Sequence, residues 1–192
     1  MLEEEYQPRR KLPDHLKKQP EPERPFEYEI RDAVAADLPY IRAIYNHYVL
    51  NTVVTFDEQE MTLRTLRHKF ATARKLGMPY IVAVSPNGQI LGYAYVFPWK
   101  EKAAYRYTVE NSIYLGPAST GKGLGKALLA ALIEKSREAG LKEIIAVIAD
   151  KGAEASIALH KQFGFTEGGH MGKVGFKFGR WIGTVLMQKS LK

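Results

Sequence analysis

The chain contains no cysteine. Disulfide bonds, thiolate metal sites and a cysteine nucleophile are therefore excluded, and any catalyst must use other groups. Long apolar runs are missing too: nothing approaches the roughly 18 consecutive apolar residues that a membrane-spanning helix needs. The first residues, Met1-Leu2-Glu3-Glu4-Glu5, lack the positive and apolar regions of a signal peptide, so a soluble cytoplasmic protein is expected. His15, His47, His68 and His170 have no metal-ligand spacing, and no metal is expected. There is no internal repeat.

What is present suits one well-packed domain: 192 residues, 45% of them apolar. A net charge of +7 suits an anionic ligand, and equally weak nucleic-acid contact. Basic residues are scattered among acidic ones, with no basic stripe interleaved with aromatics, which speaks against a nucleic-acid-binding module. Residues 1–25 carry Pro8, Pro13, Pro20, Pro22 and Pro25 among many charges and read as a flexible arm. Residues 26–192 read as the domain.

The pattern becomes regular from Phe26. A first strand is expected over 28–31, and a helix from Asp37-Leu38-Pro39, with Leu38, Ile41, Tyr45 and Tyr48 on one face. Thr62 caps a second helix that Gly77 stops. Strands over 80–84 and 90–97 flank the hairpin signal Pro86-Asn87-Gly88, and 108–115 is a further strand. A glycine-rich loop, a helix to about 139, a strand over 144–148, a short helix over 154–163 and two tail strands follow. The order β-α-α-β-β-β-α-β-α-β-β predicts an α/β fold with a mixed sheet covered by helices.

The most informative stretch runs from Leu115-Gly116-Pro117-Ala118-Ser119-Thr120 through Gly121-Lys122-Gly123-Leu124-Gly125-Lys126. Here a strand ends in glycines and opens directly into an amphipathic helix. Glycines let the backbone approach an anion, and the unpaired amides of a helix's first turn, reinforced by the dipole, point at negative charge. Lys122 and Lys126 add formal charge. A Walker A loop fits from Gly116 to Lys122 but fails at Gly123, where the Mg²⁺-binding hydroxyl belongs. Ile144 to Asp150 nonetheless imitates a Walker B strand, so a P-loop nucleotide hydrolase or kinase is one rival reading. A Rossmann loop fails at Lys126 and lies too late in the chain.

The third template, [QR]-x-x-G-x-[GA], fits Gly123 and Gly125, and with it the chain resembles the GNAT N-acetyltransferases, especially the phosphinothricin and methionine sulfoximine N-acetyltransferases. Tyr45-Asn46-His47-Tyr48, the run 104–110 ending in Val109-Glu110, the glycine loop, the run 155–160 ending in Leu159-His160, and Val174-Gly175-Phe176-Lys177-Phe178-Gly179-Arg180-Trp181 carry the likeness. The resemblance implies a mostly antiparallel mixed sheet with a pyrophosphate loop between a central strand and a helix. Thr120, Ala153 and Phe178 depart from the family's pattern of glutamine or arginine, asparagine and histidine respectively.

What the resemblance implies chemically is acetyl transfer from acetyl-CoA to a primary amine, with direct attack on the thioester. Glu110 would be the general base and His160, where many members carry a tyrosine that protonates the leaving thiolate, a second group that donates or accepts that proton directly or through water. Residue types alone read them more plainly, as a solvated strand-edge carboxylate or a charge partner of Arg106, and as a histidine packed between helix and sheet. Ile113, Tyr114 and Leu115 would hold the pantetheine arm by backbone hydrogen bonds and steady an oxyanion, with Gly121, Lys122, Gly123, Leu124, Gly125, Lys126 and Ser156 on the rest of the coenzyme. Phe56, Tyr105, Arg106, Lys177 and Arg180 would receive the acceptor, with Trp181 shaping the pocket and His47 lining it. Taken singly, Lys177 and Arg180 read as surface charges. A homodimer is implied as well. A protein amine or a polyamine stays open as the acceptor.

Overall fold

A computed structural model describes residues 26–192, so the arm read at 1–25, with His15, lies outside the described residues. The described elements follow the order read from the sequence: β1 Glu29–Asp32, α1 Leu38–Asn51, α2 Leu63–Lys75, β2 Tyr80–Val84, β3 Ile90–Pro98, β4 Thr108–Leu115, α3 Leu124–Glu138, β5 Glu143–Ala149, α4 Glu154–Gln162, β6 Thr166–Lys177 and β7 Arg180–Ser190.

Local chemistry explains most boundaries. The Thr62 hydroxyl accepts from the Thr65 amide at 3.1 Å, satisfying a donor that the first turn of α2 would leave unpaired. Pro39 sits in the first turn of α1, where its missing N–H costs nothing. Gly88, at φ +82°, closes the β2–β3 turn in a conformation that suits glycine.

The strands form one sheet in the order β1-β2-β3-β4-β5-β7-β6. Every neighbouring pair is antiparallel except β4 with β5. Side-chain alternation gives the sheet two unlike faces. On one, α1 and α2 cover Tyr80, Val82, Tyr93 and Tyr95. On the other, α3 and α4 cover Ile81, Ala83, Ala94, Val96 and Ile144. Leu124, Leu128, Leu129 and Leu132 of α3 are completely buried, each stabilising the fold by about 1.5–3 kcal/mol.

The β4–β5 pairing is the irregular joint. Strand β3 stays in register with β4 from Gly92↔Leu115 to Pro98↔Val109, whereas β5 pairs with β4 only over Thr108↔Glu143, Val109↔Ile144 and Glu110↔Ile145. Beyond Glu110 the two strands part. The sheet therefore opens between them toward the C-terminal end of β4, where the glycine loop begins.

Candidate active site

The opening carries backbone groups that no neighbouring strand uses. The amide of Gly116 donates to Leu91 O at 2.8 Å and that of Trp99 to Thr108 O at 3.1 Å, so the even-numbered residues of β4 turn their backbone toward β3. Ile113 and Leu115 consequently turn theirs toward β5, which has already diverged. Tyr114 does not: its backbone faces β3, opposite Tyr93, which corrects the expectation that it holds a pantetheine arm. The Leu115 carbonyl accepts the Tyr48 hydroxyl at 2.9 Å, tying α1 to the end of β4.

At the mouth, Gly121 and Gly123 adopt φ of +73° and +76°, a left-handed turn that suits glycine. Gly123 caps α3 without a side-chain hydrogen bond, leaving the first-turn amides of Leu124, Gly125 and Lys126 unsatisfied within the helix. Lys122 and Lys126 are exposed beside them, with the Lys122 ammonium 4.7 Å from the Phe26 ring. This end fits a phosphate-bearing group. The Thr120 hydroxyl is spent inside the loop, on Pro117 O at 3.1 Å. Gly125 has an ordinary φ, and a Cβ there would meet only Leu159 and Leu115 side chains at 3.5 and 3.7 Å. Packing within the chain does not demand glycine at 125.

Glu110 lies where β4 leaves β5, half-buried, and burial raises its pKa above the ordinary carboxylate value while Lys69 and Lys100 pull the other way. Arg106 is not its partner: that guanidinium donates to Ala103 O at 3.3 Å and stacks 4.7 Å from the Tyr107 ring. Paired residues of antiparallel strands share a face, so Glu110, opposite Phe97, stands on the side of α1 and α2. The Lys69 ammonium is there too, 2.8 Å from the Tyr95 hydroxyl and 5.6 Å from the Phe97 ring.

His160 stands on the opposite face. It is 3% exposed, its Nδ1 lies 2.8 Å from Ser156 O and its Nε2 lies 2.9 Å from the Asn111 amide nitrogen. A carbonyl can only accept, so Nδ1 carries the proton of the neutral ring. Burial lowers the His160 pKa and keeps the ring neutral. The expected donation of a proton to a thiolate therefore meets a correction, because the one N–H is already spent on Ser156. Ser156 is part-buried, and its own hydroxyl lies 3.5 Å from the same Nδ1.

The acceptor candidates divide. Tyr105, Arg106 and Arg180 are exposed, and Tyr105 ends a 3-10 turn over Ala103–Tyr105 that enters β4. Lys177, read as a surface charge, is instead 2% exposed and donates to Thr55 O at 2.9 Å, with burial lowering its pKa. It fastens the β6–β7 hairpin to the segment after α1. That segment is further held by the Tyr45 hydroxyl on Thr55 and Asp57, at 3.0 and 2.5 Å, and by Asn46 accepting from the Met61 amide at 2.9 Å. Phe56, on the same segment, rests on Gly175, where a Cβ would fall 2.4 Å from its ring. His47 is exposed, with its ring edge on Tyr48 at 5.8 Å, and Trp181 is exposed against Phe176 at 5.3 Å.

Residue types alone did not single out Tyr48, Lys69 and Asn111. Tyr48 lay within a motif already noted, whereas Lys69 and Asn111 gain meaning only from the strand pairing. Asp150, which imitated a Walker B residue, accepts instead from the Gly183 amide at 2.8 Å and pairs with His170 at 3.0 Å. The sheet also has a single parallel pair, which removes the P-loop alternative. Among the described residues no group of three or more His, Cys, Asp or Glu could hold a metal, and no helix is long and apolar enough to cross a membrane.

A family model described as "Acetyltransferase (GNAT) domain" matches residues 30–186. The phosphinothricin N-acetyltransferase of Alcaligenes faecalis is 42% identical over 155 residues, 81% of this chain and 78% of the relative. The L-methionine sulfoximine/L-methionine sulfone acetyltransferase of Pseudomonas aeruginosa is 44% identical over 162 residues, 84% of this chain and 94% of the relative. Among solved structures, yncA of Salmonella typhimurium with its cofactor acetyl-CoA superposes with a TM-score of 0.83 at 39% identity, covering 86% of this chain and 95% of that one.

Proposed function

The chain belongs to the GNAT acetyltransferase family, and we propose that it transfers an acetyl group from acetyl-CoA to the α-amine of a small amino-acid-like acceptor of the phosphinothricin or methionine sulfoximine kind. The observation that carries the chemistry is Glu110, a half-buried carboxylate of raised pKa at the point where β4 leaves β5. The names and identities of the relatives support the acceptor class.

Bound acetyl-CoA supplies the acetyl group activated as a thioester. The chain's own groups do the rest. The amides of Leu124, Gly125 and Lys126, with Gly121, Lys122 and Gly123, take the phosphates, and Ser156 lies further along the same face. Backbone groups of Ile113 and Leu115 line the opening. An α-ammonium is mostly protonated at neutral pH, and Glu110, raised toward neutrality, takes its proton. Arg180 and the N–H groups of Arg106 not spent on Ala103 O can meet an acceptor carboxylate, Tyr105 and Phe56 offer rings, and Lys177 contributes by holding the Phe56 segment in place. His160, on the coenzyme side of β4, is a neutral ring whose one N–H is engaged, so the leaving thiolate takes its proton from solvent.

Residues 26–192 are the proposed catalytic unit, with 1–25 an addition to it. A homodimer belongs to the same proposal, supported by the exposed Val174, Phe176, Phe178 and Trp181 of the β6–β7 hairpin, and sedimentation gives its mass. The test of function is thiol release from acetyl-CoA across phosphinothricin, methionine sulfoximine, methionine sulfone, common L-amino acids, a polyamine and a lysine peptide. Turnover confined to the amino-acid analogues is expected. Preference for the peptide or polyamine would replace the acceptor, and coenzyme binding without turnover on any member would sink the proposal.

A further inference from the structure

Asn111 is 7% exposed and immediately follows Glu110, yet its side chain points to the other face of β4, where it meets His160. The two side chains form a buried pair whose proton arrangement follows from Ser156 O. Since that carbonyl accepts from Nδ1 at 2.8 Å, a neutral His160 has only a lone pair on Nε2. The Asn111 atom 2.9 Å away must therefore be its NH₂ group. Its carbonyl oxygen Oδ1 then faces away, buried and without a partner among the described residues. Buried side-chain oxygens are usually paired, so an arrangement that leaves one idle demands a reason.

We propose that Asn111 is a positioning residue that, together with Ser156 O, locks His160 as the neutral Nδ1–H form, making Nε2 a hydrogen-bond acceptor and never a donor. Placing a proton on Nε2 would set N–H against N–H. Only a half-turn of the Asn111 amide relieves that clash, and the half-turn gives Oδ1 the partner it lacks. The protonation state of His160 is thus coupled to one rotation of a neighbouring side chain. The groups facing the ring are few: Ser156 O and Oγ on α4, the Asn111 amide on β4, and the edge-on Phe165 ring with centroids 4.8 Å apart. No charged side chain contributes to the shift that keeps the ring neutral.

The consequence for catalysis rests on the acetyltransferase reading above. Under it, the thiolate departs without a proton from His160 and is protonated from solvent.

The decisive measurement needs no substrate: nitrogen NMR of the full chain labelled at histidine, with His160 identified by the signal lost in His160→Gln. The expected wild-type spectrum has a protonated Nδ1 and an unprotonated Nε2, with the ring staying neutral to a pH below the ordinary histidine range. Asn111→Asp should hold an imidazolium between Ser156 O and the new carboxylate, raising the midpoint at least tenfold in proton affinity. Asn111→Ala, with Ser156 O still accepting from Nδ1, should keep that tautomer and raise the midpoint, because nothing then donates to the Nε2 lone pair. An Nε2–H ring in the wild type would overturn the proposal, as would unchanged titration in Asn111→Asp. Should the variants fail to fold, the wild-type tautomer alone decides. A correct tautomer in a chain inactive on every acceptor would refute the acetyltransferase reading and leave the lock intact.

Discussion

Glu110 and Asn111 are neighbours in sequence, and they look into different chemistries. The face toward α3 and α4 is aliphatic, built from Ile81, Ala83, Val96, Leu124, Leu128, Leu129 and Leu132, with the Asn111–His160 pair as a polar link between β4 and α4. The face toward α1 and α2 is aromatic, with Tyr80, Tyr93, Tyr95 and Tyr114 stacked along the sheet and Tyr45 and Tyr48 edge-on to Tyr114. Aliphatic packing needs only complementary shape. A tyrosine instead brings an oxygen that seeks a partner, and the partners of Tyr45, Tyr48 and Tyr95 are Thr55 and Asp57, Leu115 O and Lys69, which surround the end of β4 and Glu110. The aliphatic face holds the helices in place, whereas the aromatic face adjusts the surroundings of Glu110.

The largest expected effect separates the two roles at one residue. Glu110→Gln should lower kcat/KM by about a hundred- to ten-thousand-fold while leaving the denaturation midpoint nearly unchanged. Because the carboxylate is the active form and burial raises its pKa, wild-type activity should fall as pH falls through a midpoint above the ordinary carboxylate range. Stability lost in parallel with activity would make Glu110 a structural group. An acid limb at the usual carboxylate pKa would count equally against its role as base.

On the aliphatic face the expectation reverses. Leu128 is completely buried, and Leu128→Ala should cost about 2–5 kcal/mol in urea unfolding, with kcat preserved at temperatures where the protein stays folded. A large fall in kcat in the folded variant would show that this face is no mere support.

These contrasts also explain what the sequence could and could not reveal. Element order and most helix ends were legible because they rest on local chemistry: Thr62 capping α2, Pro39 in the first turn of α1, Gly88 closing a hairpin. The glycine loop was legible for the same reason, since Gly121 and Gly123 are required by their own φ. Non-local facts stayed hidden. That β4 pairs with β5 for three residues only is set by strands distant in sequence, and so is the β3–β4 register from which follow the orientation of Tyr114 and the face of Glu110. Lys177 misled because a lysine in a basic chain is normally solvated. Its burial depends on Thr55, 122 positions away.

A third prediction probes whether the aromatic face reaches the acceptor. Tyr45→Phe keeps the ring and removes the bonds to Thr55 and Asp57, which should cost about 1–2 kcal/mol of stability. It should also loosen the segment bearing Phe56. The KM for the acceptor is then expected to rise severalfold, with that for acetyl-CoA unchanged. A rise in both would mean that the segment supports the whole cleft.

The smallest expected effect is the sharpest test of the contrast. Tyr80 stacks on Tyr95 with centroids 4.8 Å apart and meets Phe70 edge-on at 5.2 Å, yet its buried hydroxyl has no hydrogen-bond partner. An unpaired buried oxygen is a liability, whereas the ring packs without it. Tyr80→Phe should therefore leave stability unchanged or raise it by up to about 1 kcal/mol. A loss instead would mean that the oxygen is paired to water from the cavity of about 480 Å³ that Tyr80 lines with Arg74, Lys135 and Glu138. The Tyr80 oxygen would then be in use as well, on a strand two removed from that of Glu110.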